Sequence, residues 1–291
     1  MRRATWTVAV VGAGTMGHAI AGVVAREGFD VCLQDASADA LLAAESQITM
    51  MLNRSVVRGS TTPSQLSDTL ARLDLVGTIE QAVEGCDLVI EVVPEDEAAK
   101  RPAIEEIDRL APTGAILATN TSAMSITQIA SWTQRRELVI GTHFFNPPDR
   151  MPLVEVVRGL TTSADTVERT EWFCGQLGKE TVVVADRPGF VTSRLSVVLG
   201  NEAWHMLSEG VASPQEIDKA VRLALGFPMG PFELGDLIGL DVRLNVLRHL
   251  HATLGERFRP SPLLVDYVAA GYLGRKTGRG VYEYHDNGQP E

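Results

Sequence analysis

Val8-Ala9-Val10-Val11-Gly12-Ala13-Gly14-Thr15-Met16-Gly17 joins a β-branched apolar run to a glycine-rich turn, and a stretch of helical spacing follows. Strand, tight turn and helix in that order are the context a dinucleotide-binding fingerprint requires. Gly12 permits the turn, Gly14 lets the backbone approach a pyrophosphate, and Gly17 lets helix and strand pack closely. The helix that opens at Thr15 and Met16 offers N–H groups and the positive end of its dipole to phosphates. Asp35 stands eighteen residues after Gly17, at the end of the next apolar run. An acid there bonds both ribose hydroxyls of NAD and repels a 2′-phosphate, and Ala36 and Ser37 follow where an arginine would favour NADP. NAD is therefore the expected cofactor. The competing reading of Asp35 is a cap for the helix that begins near Ser37.

Working outward, short β-branched runs alternate with longer helical stretches to about residue 185, the pattern of a parallel sheet wrapped by helices. The expected strands are Thr7-Val11, Asp30-Asp35, Leu88-Val93, Ala115-Thr119, Leu138-Thr142, Leu153-Val157 and Thr181-Val184. Ala38 to Arg58 reads as a long helix, and the polar string Gly59-Ser60-Thr61-Thr62-Pro63 leads to a second, so a helical hairpin interrupts the sheet order. After Asp186-Arg187-Pro188-Gly189 the strand signal stops and apolar residues recur at helical spacing through Leu254. The expected fold class is α/β. A Rossmann-type, mostly parallel sheet with a helical-hairpin insertion occupies residues 1–186, and an all-α C-terminal domain occupies 187–291. Gly274-Arg275-Lys276-Thr277-Gly278-Arg279-Gly280 is too rich in glycine and charge for a regular element and reads as a tail loop.

Composition narrows the function classes. A net charge of −11 over 291 residues repels a phosphate backbone, so no nucleic-acid partner is expected. Cys32, Cys86 and Cys174 are odd in number and form no CxxC, which suggests neither a disulfide framework nor a metal site and fits a reducing, cytoplasmic compartment. Arg2-Arg3 before the run Val8 to Ala25 superficially resembles a secretory signal, but Gly12, Gly14, Gly17 and His18 interrupt it, and the same interruptions argue against a membrane span.

His143 follows the run Leu138-Thr142 at the carboxyl end of a strand, where ligands collect in open α/β sheets. A histidine beside Phe144 and Phe145 is more often a satisfied core residue than a base. Its company raises it: Glu155 lies within Leu153-Val154-Glu155-Val156-Val157, a carboxylate in an apolar strand that is costly unless bonded. Asn120-Thr121-Ser122, His143-Phe144-Phe145-Asn146-Pro147, Glu155, Pro188-Gly189-Phe190, Pro228-Met229-Gly230-Pro231 and the Gly274-Gly280 string together resemble the short-chain L-3-hydroxyacyl-CoA dehydrogenase family, in order and over nearly the whole chain.

The resemblance implies NAD-dependent oxidation of a short-chain (S)-3-hydroxyacyl-CoA. It implies that His143 removes the hydroxyl proton, that Glu155 orients and supports the imidazole, and that Ser122 bonds the reacting oxygen. Asn146 and Ser193 are implied on the substrate side, with Ser193 standing where relatives carry an asparagine. Serine keeps a donor with shorter reach, which leaves open the same hydride chemistry on another hydroxy substrate: a sugar acid, carnitine or a carrier-bound acyl group. The family likeness also puts Glu95 and Lys100 near the nicotinamide ribose, Asn120 at the cofactor, and Arg54 and Arg58 at the CoA nucleotide. For Glu95 and Lys100 a solvated pair at a helix start is an equal reading, as is a solvated helix face for the arginines. The C-terminal helices are implied to form a homodimer and to cover the cleft. Leu195, Val198, Leu199, Leu237, Ile238, Leu240 and Leu244 are numerous for a domain of this size, which itself suggests a partner surface.

Overall fold

In the computed structural model residues 6–285 are described, and the chain divides into two compact units at Asp186 and Arg187. Arg2 and Arg3 of the signal-like reading lie outside the described residues.

The first unit is an eight-stranded sheet. Its strands are β1 (Thr7–Val11), β2 (Asp30–Gln34), β3 (Leu73–Val76), β4 (Leu88–Glu91), β5 (Ile116–Thr119), β6 (Val139–Phe144), β7 (Leu153–Arg158) and β8 (Glu180–Ala185). They lie in the order β3-β2-β1-β4-β5-β6-β7-β8, and every pair is parallel except β6 with β7. The chain runs outward from β1 through β2 to β3 and then restarts on the other side with β4, so the strand order reverses beside β1. Ligands bind outside the carboxyl ends of the strands at such a reversal.

Helices α1 (Thr15–Arg26), α2 (Ala38–Val57), α3 (Pro63–Leu70), α4 (Ile79–Val83), α5 (Glu97–Leu110), α6 (Ile126–Ser131) and α7 (Ala164–Gln176) complete this unit. Helix α1 is held by an apolar face of Ile20, Val23 and Val24, none of them exposed, packed with Val8, Val10 and Leu33 of the sheet. The string Thr61-Thr62-Pro63 that reads as a turn is the start of α3: Thr62 accepts from the Gln65 N–H, Gln65 returns a bond to the Thr62 N–H, and Pro63 fills the first helical position.

Several boundaries differ from the sequence reading. β3 was not expected. Its four residues Leu73-Asp74-Leu75-Val76 form the outer strand beyond β2, with no buried residue to give a strand signal. His143 is not past its strand but inside it, because β6 continues through Phe144 in register with β7. Asp35 lies one residue beyond β2, and the cap of α2 is Ser37, whose side chain accepts from the Ala40 N–H at 3.2 Å.

The second unit is built from α8 (Thr192–Ser208), α9 (Pro214–Leu225), α10 (Pro231–Ile238), α11 (Leu240–Leu254) and α12 (Pro262–Ala269) around Trp204, Phe232, Leu244, Leu247 and Leu250. The glycine-rich tail is an ordered loop. It forms a 3-10 turn at Arg275–Thr277 and bridges Gly274 to Arg279 and Arg279 to Glu283. Arg243 is buried in this unit and donates to the Ser196 hydroxyl and carbonyl at 2.7 and 2.9 Å, and burial pushes its guanidinium down to about 10.

Candidate active site

The antiparallel register of β6 and β7 sets His143 directly opposite Glu155. Opposed residues of an antiparallel pair project from the same face. His143 Nδ1 lies 2.7 Å from Glu155 Oε2, with the histidine 8% exposed and the glutamate fully buried. The ring of Phe145 covers the imidazole, with centroids 4.5 Å apart. A buried carboxylate bonded to one ring nitrogen fixes the tautomer, leaves the other nitrogen able to accept a proton, and favours the imidazolium that results.

Three loops emerge beside this pair at the same sheet end. β5 ends at Thr119, which pairs with Gly141 of neighbouring β6, and Ser122 lies in the loop that follows. Asn120 ties the two ends together, its Oδ1 accepting from the Phe144 N–H at 2.9 Å. The Ser122 segment is held from below by Glu95: one carboxylate oxygen accepts from the Thr121 hydroxyl, from the Ser122 N–H at 3.0 Å and from the Ala123 N–H at 3.1 Å. Asn146 is exposed in the loop after β6, and Ser193 sits half-buried in the first turn of α8 in the second unit.

Lys100 is not a solvated surface lysine. Its side chain is fully buried, and Nζ donates to Glu91 Oε1 at 2.8 Å, Glu91 Oε2 at 3.1 Å and the Val93 carbonyl at 3.1 Å. Of its sequence readings, the solvated pair at a helix start is corrected here. An ammonium has three donors, and these acceptors use them.

The fingerprint residues take the positions a dinucleotide needs. Gly12 has φ +107°, and a Cβ there would stand 3.0 Å from the Val92 carbonyl oxygen. A Cβ on Gly17 would stand 1.8 Å from the Gly12 oxygen, which forces glycine where α1 crosses β1. Gly14, the N-cap of α1, offers no side-chain cap and faces open space, and Thr15 beside it is exposed with Met16 half-buried. The first N–H groups of α1 are thus available to an anion. Asp35 Oδ2 accepts from the Ala13 N–H at 2.9 Å and Oδ1 from the Ser37 N–H at 2.9 Å, so the carboxylate borders the same turn.

A separate cavity of about 830 Å³ runs along α2, lined by Leu42, Met50, Arg54, Val57 and Arg58 with Arg150. Arg54 and Arg58 are exposed, their nearest bonds being to Met50 Sδ and to the Arg54 carbonyl. Arg150 is a member the sequence reading missed: a single basic residue in the β6–β7 loop carries no local pattern.

The profile of the family described as 3-hydroxyacyl-CoA dehydrogenase, NAD binding domain, matches residues 7–187, and that of its C-terminal domain matches residues 189–284. The chain belongs to the 3-hydroxyacyl-CoA dehydrogenase family. As a member it is an NAD-dependent oxidoreductase, and its cofactor is NAD, which the α1 turn and Asp35 fit. The dehydrogenase is 42% identical to a probable 3-hydroxybutyryl-CoA dehydrogenase of Bacillus subtilis, over 96% of this chain and 97% of that one. It is 43% identical to a 3-hydroxybutyryl-CoA dehydrogenase of Bradyrhizobium diazoefficiens, over 95% and 94%. Its fold matches the crystal structure of (S)-3-hydroxybutyryl-CoA dehydrogenase from Ralstonia eutropha with a TM-score of 0.94 at 40% identity, covering 97% of this chain and 100% of that one. Among the described residues of the dehydrogenase no helix is long and apolar enough to cross a membrane, and no cluster of His, Cys, Asp and Glu is arranged to hold a metal.

Proposed function

We propose that this enzyme reversibly oxidises a short-chain (S)-3-hydroxyacyl-CoA, such as 3-hydroxybutyryl-CoA, to the 3-oxoacyl-CoA, with His143 as the base and Glu155 as its partner. The observation that carries this is the 2.7 Å bond from His143 Nδ1 to a fully buried Glu155 at the carboxyl end of the sheet. With Nδ1 bonded to Glu155, Nε2 is the ring nitrogen that takes the proton of the 3-hydroxyl. The negative carboxylate then stabilises the imidazolium. Bound along the α1 turn, NAD supplies the hydride acceptor. Gly12 and Gly17 shape the turn, Gly14, Thr15 and Met16 hold its pyrophosphate by backbone N–H groups, Asp35 holds its adenosine ribose, and Asn120, whose carbonyl is spent on Phe144, offers it an amide N–H.

Ser122 donates to the reacting oxygen, and Ser193 and Asn146 serve the substrate. Arg54, Arg58 and Arg150 line the cavity along α2, where their planar guanidinium groups suit the phosphates of a CoA nucleotide. The names of the relatives support the acyl-CoA assignment. Exposed Leu195, Val198, Leu237, Ile238 and Val242 on α8, α10 and α11 are the face we assign to a homodimer. Leu240 and Leu244, by contrast, are spent on the core of the second unit. Three free cysteines suit the cytoplasm, and burial pushes the thiols of Cys86 and Cys174 up to about 12, which makes them inert.

The test is NADH oxidation with acetoacetyl-CoA and free acetoacetate side by side. Turnover of the thioester alone is expected. Equal turnover of free acetoacetate would replace this reading with a small hydroxy-acid dehydrogenase, and full activity in His143→Gln would remove the assigned base.

A further inference from the structure

We propose that Lys179 is a positioning residue for substrate binding: it closes the turn 147–151 from outside and so holds Arg150 at the cavity along α2. The proposal rests on the reading of that cavity as the seat of the CoA phosphates.

The argument begins with missing donors. The loop between β6 and β7 carries prolines at 147, 148 and 152, and a proline has no N–H to give. Backbone carbonyls in such a segment must draw donors from elsewhere. The Pro147 carbonyl accepts from the Arg150 and Met151 N–H groups at 3.0 and 3.1 Å, which folds the segment into a turn. The remaining carbonyls turn to the start of β8. Lys179 Nζ donates to the Pro148 carbonyl at 2.6 Å and to the Met151 carbonyl at 2.8 Å, and the Glu180 N–H donates to the Pro152 carbonyl at 2.8 Å. The ammonium thus bridges both shoulders of the turn, with Asp149 and Arg150 between them. Hydrogen bonds from a charged donor are stronger than neutral ones and hold such a bridge in place.

The backbone presents Lys179 at this point for a local reason. Helix α7 ends with Gly178 at φ +68°, the Gly178 N–H bonded to the Gly175 carbonyl and the Lys179 N–H to the Cys174 carbonyl, both at 3.0 Å. These are the two bonds of a Schellman cap, and they fix the residue that follows the glycine. The next residue, Glu180, is already paired with Leu153 in the sheet. Lys179 therefore departs from a rigid junction between helix cap and strand.

Arg54 and Arg58 reach the cavity from a regular helix, four residues apart, and the helix itself places them. Arg150 is exposed and lies on an irregular turn, so its place depends on what holds the turn. Lys179 is that hold.

Positioning of a phosphate ligand and positioning of the reacting groups separate in the kinetics. Steady-state kcat and KM are measured with acetoacetyl-CoA and with acetoacetyl-pantetheine, which keeps the thioester and lacks the nucleotide. The proteins are the wild type, Lys179→Met, Lys179→Gln, Lys179→Arg, Arg150→Ala and the Lys179→Met/Arg150→Ala double variant. Lys179→Met should raise KM for acetoacetyl-CoA about five- to tenfold, with kcat and the KM for acetoacetyl-pantetheine within about twofold of wild type. Lys179→Arg, which keeps a cation and several donors, should recover most of the loss, and Lys179→Gln part of it. These two carry the test should the methionine variant fail to fold. The double variant should bind acetoacetyl-CoA no worse than Arg150→Ala, since two residues acting through one contact do not add. An unchanged KM in Lys179→Met and Lys179→Gln would overturn the proposal, as would equal losses with both thioesters or losses that multiply in the double variant. An unchanged KM for acetoacetyl-CoA in Arg150→Ala would instead overturn the reading of the cavity itself.

Discussion

Among the described residues four carboxylates are buried almost completely, two in each unit, and their partners differ in kind. In the first unit Glu91, at the carboxyl end of β4, faces the Lys100 ammonium, and Glu155 of β7 faces the His143 imidazole near the carboxyl end of β6. In the second unit the hydrogen bonds come from neutral groups. Asp218 accepts from the Phe232 and Glu233 N–H groups and the Tyr282 hydroxyl, and Asp236 from the Val281 and Tyr282 N–H groups and the Tyr284 hydroxyl. Burial pushes both aspartates upward from the ordinary carboxylate range, and these hydrogen bonds oppose the push. A buried acid paired with a group that can change its charge is equipped for proton chemistry or for fixing a charged junction. An acid saturated by amides and phenols can only tie segments together. Where the partner is neutral, the same residue type is architecture.

The largest effect expected from this contrast is on turnover. His143→Gln removes the proton acceptor and should lower kcat by about 10²- to 10⁴-fold, with the thermal midpoint little changed. Glu155→Gln keeps a hydrogen bond but loses the charge that supports the imidazolium, so kcat should also fall, by less. A Glu155→Gln enzyme with wild-type kcat would put Glu155 in the architectural class with Asp236. Next is Lys100→Met. It strands the buried Glu91 carboxylate, which costs roughly 3–5 kcal/mol of stability, measured by denaturant unfolding. Adding Glu91→Gln should return much of that loss, because the uncompensated charge goes with it. A double variant no more stable than Lys100→Met would show that packing, not charge, sets the cost.

How much of this was legible in the sequence follows from the range of each signal. The β1 turn and α1 are local, since Gly12 and Gly17 answer to atoms a few residues away or on the next strand, and their spacing alone reports the turn. The strands bearing His143 and Glu155 were visible as apolar runs. Their register was not, because it depends on how the loop 145–152 returns the chain. β3 gave no signal because an outer strand of four partly exposed residues buries too little to show a period. Lys100 misled for a related reason. With Glu95 near a helix start, it reads as one half of a solvated pair, and only the fold brings Glu91 beneath it.

The tail of the second unit was read as a loop for its glycines, and the structure gives those glycines another cause. A Cβ on Gly274 would stand 2.3 Å from the Asp236 carbonyl oxygen, and one on Gly280 would stand 2.1 Å from its side-chain oxygen. The tail thus lies against the aspartate. Asp236→Ala leaves the Val281 and Tyr282 N–H groups unpaired and should cost about 1–3 kcal/mol, with earlier proteolytic cleavage of the tail and kcat per folded enzyme retained. Loss of kcat in proportion to His143→Gln would break the division between the two units' acids.

The smallest expected effect is on alkaline stability. Burial, then the Asp218 carboxylate to which it donates, raise Tyr282, and burial with the nearby Asp236 charge raises Tyr284. A tyrosine whose folded value is raised keeps its full contribution below the unfolded value of about 10 and loses it as pH rises beyond, because the unfolded chain gives up the proton first. The denaturant midpoint followed by Trp204, which packs edge-on against Phe232 in this unit, should therefore hold up to about pH 10 and fall above it. Tyr282→Phe removes one titrating hydroxyl and one bond to Asp218, so the variant starts less stable and its midpoint falls less steeply. Parallel curves for the two proteins would mean that the phenol does not hold its proton for Asp218, and that the neutral partners of the second unit are less fixed than their geometry implies.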